Sequence, residues 1–481
     1  MKENHEKRYI GIDIGTTSLK AASFDENGRR LGLRCIQYPL DTDPKTGFVE
    51  ADPEQYIRMC EQAIAELTEE CGTAAAISVD TQGETLILAD REGRALYPAV
   101  VWLDNRAAQE AKEIRAHFGT RRVYEVTGQP EITAAWPACK LLWFRRHRPE
   151  IFDRTEKIFL LEDWILFRLT EKFVTEPTIQ SSSIYYDIRA GQWWTEMLEL
   201  IGVRPEQLPR LVPSAAPVGH YRGVPVVAGA LDQIAGMIGA GVCDGSEISE
   251  MTGTTMAICS MTDRIPPYRE DSIVPCHVHA IPGQYCRILW SSTAGMALKW
   301  FRDSFAEQYR FDELDALAEN IPAGCDGLTA LPYLCGATMP RYRPDARAVF
   351  AGVHLSHTRA HFARAIMESV AFILRQNIEY IGGMSSIRGI RITGGGANSR
   401  LWAQIKADVT GKELHTVAES ETACLGTAIL AAVGVGDFAS VAEAARKLVC
   451  ISGTFRPSGE QYEQAYRRFL SLDGWIDQLS L

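Results

Sequence analysis

No two cysteines in this chain are spaced as CxxC, and the twelve present fall at no regular interval. A disulfide framework or a zinc ribbon is therefore not expected, and the thiols read as reduced. Basic residues are short as well: 50 Lys and Arg stand against 61 Asp and Glu, for a net charge of −11. That balance excludes the basic faces that nucleic acid or an anionic membrane requires. Long apolar runs are missing. The longest weakly polar stretch, Ala423 to Gly436, is too short and too rich in small residues to span a bilayer. The start, Met1 to Arg8, is charged and has no apolar centre, so it does not read as a signal peptide. No GxxxxGK[ST] occurs, and Gly239-Ala240-Gly241 ends a helical pattern, so neither a P-loop nor a dinucleotide fingerprint is present. These absences point to a cytoplasmic globular protein with no nucleic-acid and no membrane partner. An anionic ligand would have to be held locally, by backbone N–H groups and a metal.

At 481 residues and 46% apolar composition, two domains are expected, each with its own core. The chain turns on the stretch Gly11-Ile12-Asp13-Ile14-Gly15-Thr16-Thr17-Ser18-Leu19-Lys20. It reads as strand, tight turn, strand, with a second turn at Asn27-Gly28. A hairpin tip of Gly15, Thr16 and Thr17 gathers N–H groups and hydroxyls at one point suited to phosphate oxygens. Asp13 adds a carboxylate of the kind Mg²⁺ prefers. Alone, such a hairpin is ordinary. The pattern returns at Ile248 to Ile258, with Gly253-Thr254-Thr255 at the turn, which predicts an internal duplication whose tips face each other across a cleft.

Val49 to Cys71 is predicted helical, opened by Asp52-Pro53; Ala74 to Asp80 and Leu86 to Ala89 are predicted strands; and residues from about Asn105 to Leu211 are predicted mostly helical. Val224 to Ala228 forms a strand that leads through Gly229-Ala230-Leu231 to Asp232 and a small-residue helix. The boundary is placed at Gly241 to Gly245, giving domains 1–243 and 244–481. Farther on, the strand Ile390 to Thr393 enters Gly394-Gly395-Gly396-Ala397-Asn398, glycines that let a flat ligand approach the backbone. Cys276-His277-Val278-His279 with Cys286 reads as a hairpin rather than a zinc site, because Pro282-Gly283 lies between them and no ligand spacing fits. Trp193-Trp194 reads as packing.

Together these residues resemble the FGGY family of carbohydrate kinases. Ala348-Val349-Phe350-Ala351-Gly352-Val353, then seven residues, then His361 to Glu368, fit its C-terminal signature. Pro137, Lys140, Leu141, Trp143 and Phe144 nearly meet the N-terminal one, which departs at Ala135. The resemblance implies an α/β, two-domain actin-like ATPase fold, a ribonuclease H-like duplication with the ligand cleft between its domains. It implies ATP and Mg²⁺, with Asp13 and Asp232 at the metal. Gly15, Thr16, Thr17 and Lys20 belong to the first phosphate loop; Gly253, Thr254 and Thr255 form the second. Gly295 and Lys299 line the nucleotide, and Gly394, Gly395, Gly396 and Asn398 hold the adenosine. Asp232 matches the catalytic base, followed by Gln233.

A sugar hydroxyl is a weak nucleophile and needs a proton acceptor as attack develops. Asp232, at the start of a helix, suits that role; a plain helix cap is the alternative. The sugar is expected against Gln82, Glu84, Trp102, Asp104 and Arg106, together with Asp232 and Gln233. Gln82, Glu84 and Thr85 resemble glycerol kinases, but Gly83 and Ala135 replace the Arg and Tyr found there, which predicts a roomier pocket. A ketopentose such as xylulose fits that volume, although xylulose kinases carry Met-His where this chain has Gly83-Glu84. Ribulose, a deoxy-ketose, glycerol and a four-carbon polyol such as erythritol stay open, as does a homodimer. A nucleotide-binding switch of the same fold is the alternative from another class. The chain ends at Leu481, soon after the nucleotide pattern, with no room for the peptide-binding domain of heat-shock chaperones.

Overall fold

The structure, a computed structural model, describes residues 7–476. Residues 1–6 and 477–481 lie outside the described part, and with them most of the charged stretch at the start.

The first sheet is built from β1 (Arg8–Ile14), β2 (Ser18–Asp25), β3 (Arg30–Gln37), β4 (Ala76–Thr81), β5 (Pro217–Tyr221) and β6 (Val224–Val227), in the order β5-β6-β4-β1-β2-β3. The second uses β7 (Glu247–Thr252), β8 (Met256–Thr262), β9 (Cys276–Val278), β10 (Tyr285–Ser291), β11 (Gly389–Thr393), β12 (Glu413–Val417) and β13 (Ile451–Phe455), in the order β9-β10-β8-β7-β11-β12-β13. The run β3-β2-β1-β4-β6 matches β10-β8-β7-β11-β12 pair for pair: two antiparallel pairings followed by two parallel ones. The duplication expected from the two hairpins is thus a property of whole sheets. Every residue of β4 is buried, as a central strand covered on both faces requires.

The helices that bear on the site are α1 (Pro53–Cys71), α2 (Pro137–His147), α3 (Asp232–Gly239), α4 (Gly295–Phe305), α5 (Arg400–Thr410) and α6 (Thr422–Gly434). Helix α1 starts as its sequence dictates: Asp52 accepts from the Glu54 amide, and Pro53 occupies the first turn, where its missing N–H is no loss. Helices α3 and α6 follow equivalent strands of the two sheets and cross each other. A Cβ placed on Gly239 would lie 1.8 Å from the Thr422 carbonyl oxygen, and one on Gly426 1.8 Å from that of Ala235. Backbones that close admit no side chain between them. Helix α6 also lies on the first sheet, burying Leu425, Ala428 and Ile429 with Tyr9, Ala22, Ala76 and Val227.

One expectation needs correction. Val49–Ala51 is a strand, not the first turn of α1, because its backbone pairs with Ala99–Val100. The region from 105 to 211 is mostly helical, as expected, but also contributes strands. Lys157–Leu160 pairs with Leu86–Ala89, completing a small five-stranded sheet that carries the loops after β4. Among the described residues no helix is long and apolar enough to cross a membrane.

Candidate active site

In β1 the alternation of the strand buries Ile12 and Ile14 and turns Asp13 toward a cleft. Both hairpins reach that cleft. A cavity of about 170 Å³ is lined by Asp13 and Gly15 of the first, Met251 and Ala257 of the second, and Asp232, Gln233 and Thr422 at the ends of α3 and α6. A second cavity, about 530 Å³, lies beside the second tip. Its walls include Thr252, Gly253 and Thr254, Gly295 and Lys299 of α4, and Gly395, Gly396 and Asn398. The Gly295 amide donates to the Gly253 carbonyl at 3.0 Å, so the tip is seated on the start of α4. A buried ion pair, Lys406 of α5 to Glu250 at 2.9 Å, braces the same tip from behind, and Lys406 also donates to Thr252 Oγ1. A larger depression of about 870 Å³, between Pro39 and Pro98, contains none of these groups.

Asp232 opens α3 and accepts from the Gln233 amide at 2.6 Å. Burial, with the nearby charges of Asp13 and Glu84, pushes its carboxyl up to about 8. Burial likewise raises Asp13 to about 6. Its neighbour is Asp80, which the sequence reading missed. Asp80 stands opposite Asp13 in the parallel β1–β4 register, is fully buried, and is raised well above the usual carboxylate range by burial and by Asp13. Thr427 of α6 donates to it. Lys20 is paired with Glu421 at 2.6 Å, and Lys299 with Asp303 at 2.5 Å.

The sugar-side residues divide. Trp102 Nε1 donates to Thr16 Oγ1 at 3.0 Å, joining that loop to the first tip. Gln82 is buried, with the Tyr56 hydroxyl beside its amide. Glu84 adopts a φ of 51°, costly for a residue with a side chain. Lys140 of α2 holds it there, donating from full burial to the Glu84 carbonyl at 3.1 Å and the Val101 carbonyl at 2.9 Å. Burial brings this ammonium down to about 7. Lys140 thereby ties together the loops that carry Glu84 and Trp102.

Asp104 and Arg106, by contrast, are engaged with each other. Arg106 is paired with Asp104 at 2.8 Å and Glu50 at 2.6 Å, and both side chains of the Asp104 pair are fully buried. Asp104 also accepts from the amides of Val49 and Arg106, which uses up its oxygens. The two residues brace the loop. At Gly83 a Cβ would meet Leu231 Cδ1 at 3.2 Å and Ser182 Oγ at 3.3 Å, so the glycine is closely packed on that side. His277 and His279 are buried and held down to about 4 by burial, and no three His, Cys, Asp or Glu side chains converge on a metal position among the described residues. Trp194 packs on Phe118.

A duplicated sheet-and-helix fold whose two hairpins line one cleft, with the carboxylates of Asp13 and Asp232 in it, defines an actin-like phosphotransferase. The comparisons narrow the class: the FGGY carbohydrate kinase N-terminal domain matches residues 8–239, and the C-terminal domain residues 257–435. The chain belongs to the FGGY family of carbohydrate kinases and is an ATP-dependent sugar kinase. It is 29% identical over 484 residues to the xylulose kinase of Bacillus subtilis (strain 168), spanning 97% of this chain and 96% of that one. It is also 29% identical over 458 residues to the gluconokinase of the same organism, spanning 89% and 87%. The crystal structure of xylulose kinase from Rhodospirillum rubrum superposes with a TM-score of 0.89 at 27% identity, covering 98% of this chain and 99% of that one.

Proposed function

We propose that the enzyme transfers the γ-phosphoryl group of ATP to a terminal hydroxyl of a small sugar, a ketopentose such as xylulose, with Asp232 as general base. The observation that carries this reading is the shared cavity, lined by Asp232 together with Asp13 and Gly15 of the first hairpin and Met251 and Ala257 of the second. From there its carboxylate takes the hydroxyl proton as the oxygen attacks in line. Gly15, Thr16 and Thr17 hold transferring oxygens on one side, Gly253, Thr254 and Thr255 on the other, and positioning of this kind is most of what phosphoryl transfer needs. Gly295, Lys299, Gly394, Gly395, Gly396 and Asn398 form the adenosine side, with residues 1–243 as the sugar half and 244–481 as the nucleotide half.

Asp13 and Asp232 fit Mg²⁺. They share one cavity wall, and the charge of Asp13 disfavours ionisation of Asp232, a conflict that a divalent cation relieves. Bound there with ATP, Mg²⁺ supplies neutralisation of phosphate charge.

The ketopentose assignment is supported by the xylulose kinase relatives at near full length. The gluconokinase relative, equally identical, favours a longer polyol acid as the second reading. A panel of xylulose, ribulose, gluconate, erythritol and glycerol, read by coupled ADP release, tests this. Xylulose is expected to give the highest kcat/KM; glycerol as the best substrate would overturn the assignment.

A further inference from the structure

The segment Gly229-Ala230-Leu231, which delivers Asp232 to the cleft, is held by side chains that no part of the mechanism above uses. Glu162, fully buried, accepts from the Gly229 amide at 2.9 Å. Two residues on, the Leu231 amide donates to Thr178 Oγ1 at 2.7 Å. The Thr178 hydroxyl in turn donates to Glu176 Oε1 at 2.6 Å. Its proton is committed to the carboxylate, so its lone pairs face Leu231. Glu176 is itself saturated, accepting also from the amides of Thr178 and Ile179, at 2.8 and 2.6 Å, and from Ser214 Oγ at 2.6 Å. All of these acceptors are buried, so the chain Leu231–Thr178–Glu176 is shielded from competing water.

The same segment has little freedom elsewhere. A Cβ on Gly229 would lie 1.9 Å from the Val79 carbonyl oxygen, so its backbone touches β4 directly, and Leu231 bridges Thr81 at the end of that strand. With the sheet on one side and the Thr178 hydroxyl on the other, the Cα of Asp232 inherits its position from Leu231.

We propose that Thr178, oriented by Glu176, is a positioning residue for the catalytic base: it fixes Asp232 through the Leu231 amide. This rests on the reading of Asp232 as that base. A general base acts only within hydrogen-bond reach of the proton it takes, and misplacement by about 1 Å costs on the order of a hundredfold.

The test compares Thr178→Val, Thr178→Ala, Thr178→Ser and Asp232→Ala in the full-length enzyme, on the best sugar of the panel. Thr178→Val is expected to lower kcat about tenfold or more with KM for ATP unchanged, and Thr178→Ser, which keeps the hydroxyl, to recover most of the loss. Should the valine variant not fold, Thr178→Ala, which adds no methyl against Leu231, carries the same expectation. Asp232→Ala separates the two readings. If it is inactive while Thr178→Val and Thr178→Ala keep wild-type kcat, the positioning role is wrong and the base stands. If Asp232→Ala turns over normally, the base reading itself fails. A serine variant as slow as the valine one would also overturn the proposal.

Discussion

The indole N–H of Trp102 donates to the hydroxyl of Thr16 at 3.0 Å, so a side chain on the sugar side and one on the phosphate tip share a hydrogen bond across 86 residues of sequence. Trp102→Phe keeps the ring and removes the donor. The expected result is a fall of up to about tenfold in kcat/KM for the sugar, the worth of one such bond. Because Thr16→Val breaks the same bond, the double variant should lose little beyond Thr16→Val alone. Additive losses would show that the two residues act separately.

Asp232→Ala should abolish sugar phosphorylation, by about a thousandfold or more, while calorimetry still records nucleotide binding. Asp232 does not line the second cavity, the proposed nucleotide site. Near-normal turnover would remove Asp232 from the mechanism.

The crossing of α3 and α6 has no spare room. Gly426→Ala would set a methyl carbon 1.8 Å from the Ala235 carbonyl oxygen, so the helices must part. A destabilisation of about 1–3 kcal/mol is expected, with slower turnover, since the cleft floor shifts with the helices. Gly474→Ala is the control: this helical glycine has nothing within 4 Å of the added carbon, and its substitution should leave the unfolding midpoint unchanged or slightly raised.

The contribution of Asp163 to stability should fall as pH rises through neutrality. Burial pushes the Asp163 carboxyl up to about 8, against about 4 in an unfolded chain. Between those values the folded state holds a proton that the unfolded state has lost. The stabilisation is therefore complete below about pH 4 and disappears as pH climbs to about 8, with a limiting slope of about 1.4 kcal/mol per pH unit. His277 and His279 act with the opposite sign, costing stability as pH falls from about 6.5 toward 4, so they are silent above pH 6.5. Lys140, lowered to about 7, also opposes Asp163, adding stability as pH rises above about 7. The change in urea midpoint from pH 6.5 to 8.5 should thus be less negative in Asp163→Asn than in the wild type. An unchanged difference would assign the slope to other groups.

What the sequence disclosed, and what it hid, follows from distance along the chain. The two Gly-Thr-Thr tips were legible because a tight turn writes its requirement into adjacent residues, and Asp52-Pro53 announced α1 for the same reason. Val49 misled because one apolar residue fits a helical or an extended period equally well, and only the pairing of its strand, Val49 with Thr42 and Glu50 and Ala51 with Val100 and Ala99, decides. Asp104 and Arg106 had the residue types of a sugar site, but two residues apart around a turn they satisfy each other. Asp80 gave no signal: it sits inside an apolar strand, and its hydroxyl donor, Thr427, lies 347 residues away. Thr178 was equally silent, since its meaning depends on an amide 53 residues distant.

Helix α6 lies late in the chain yet roofs the sheet that the earliest strands begin. A nascent polypeptide emerging from the ribosome lacks residues 422–434 until late in synthesis, so the part of the Tyr9, Ala22 and Ala76 face that α6 covers stays open until then. An expressed fragment stopping short of α6 would leave that apolar surface to water.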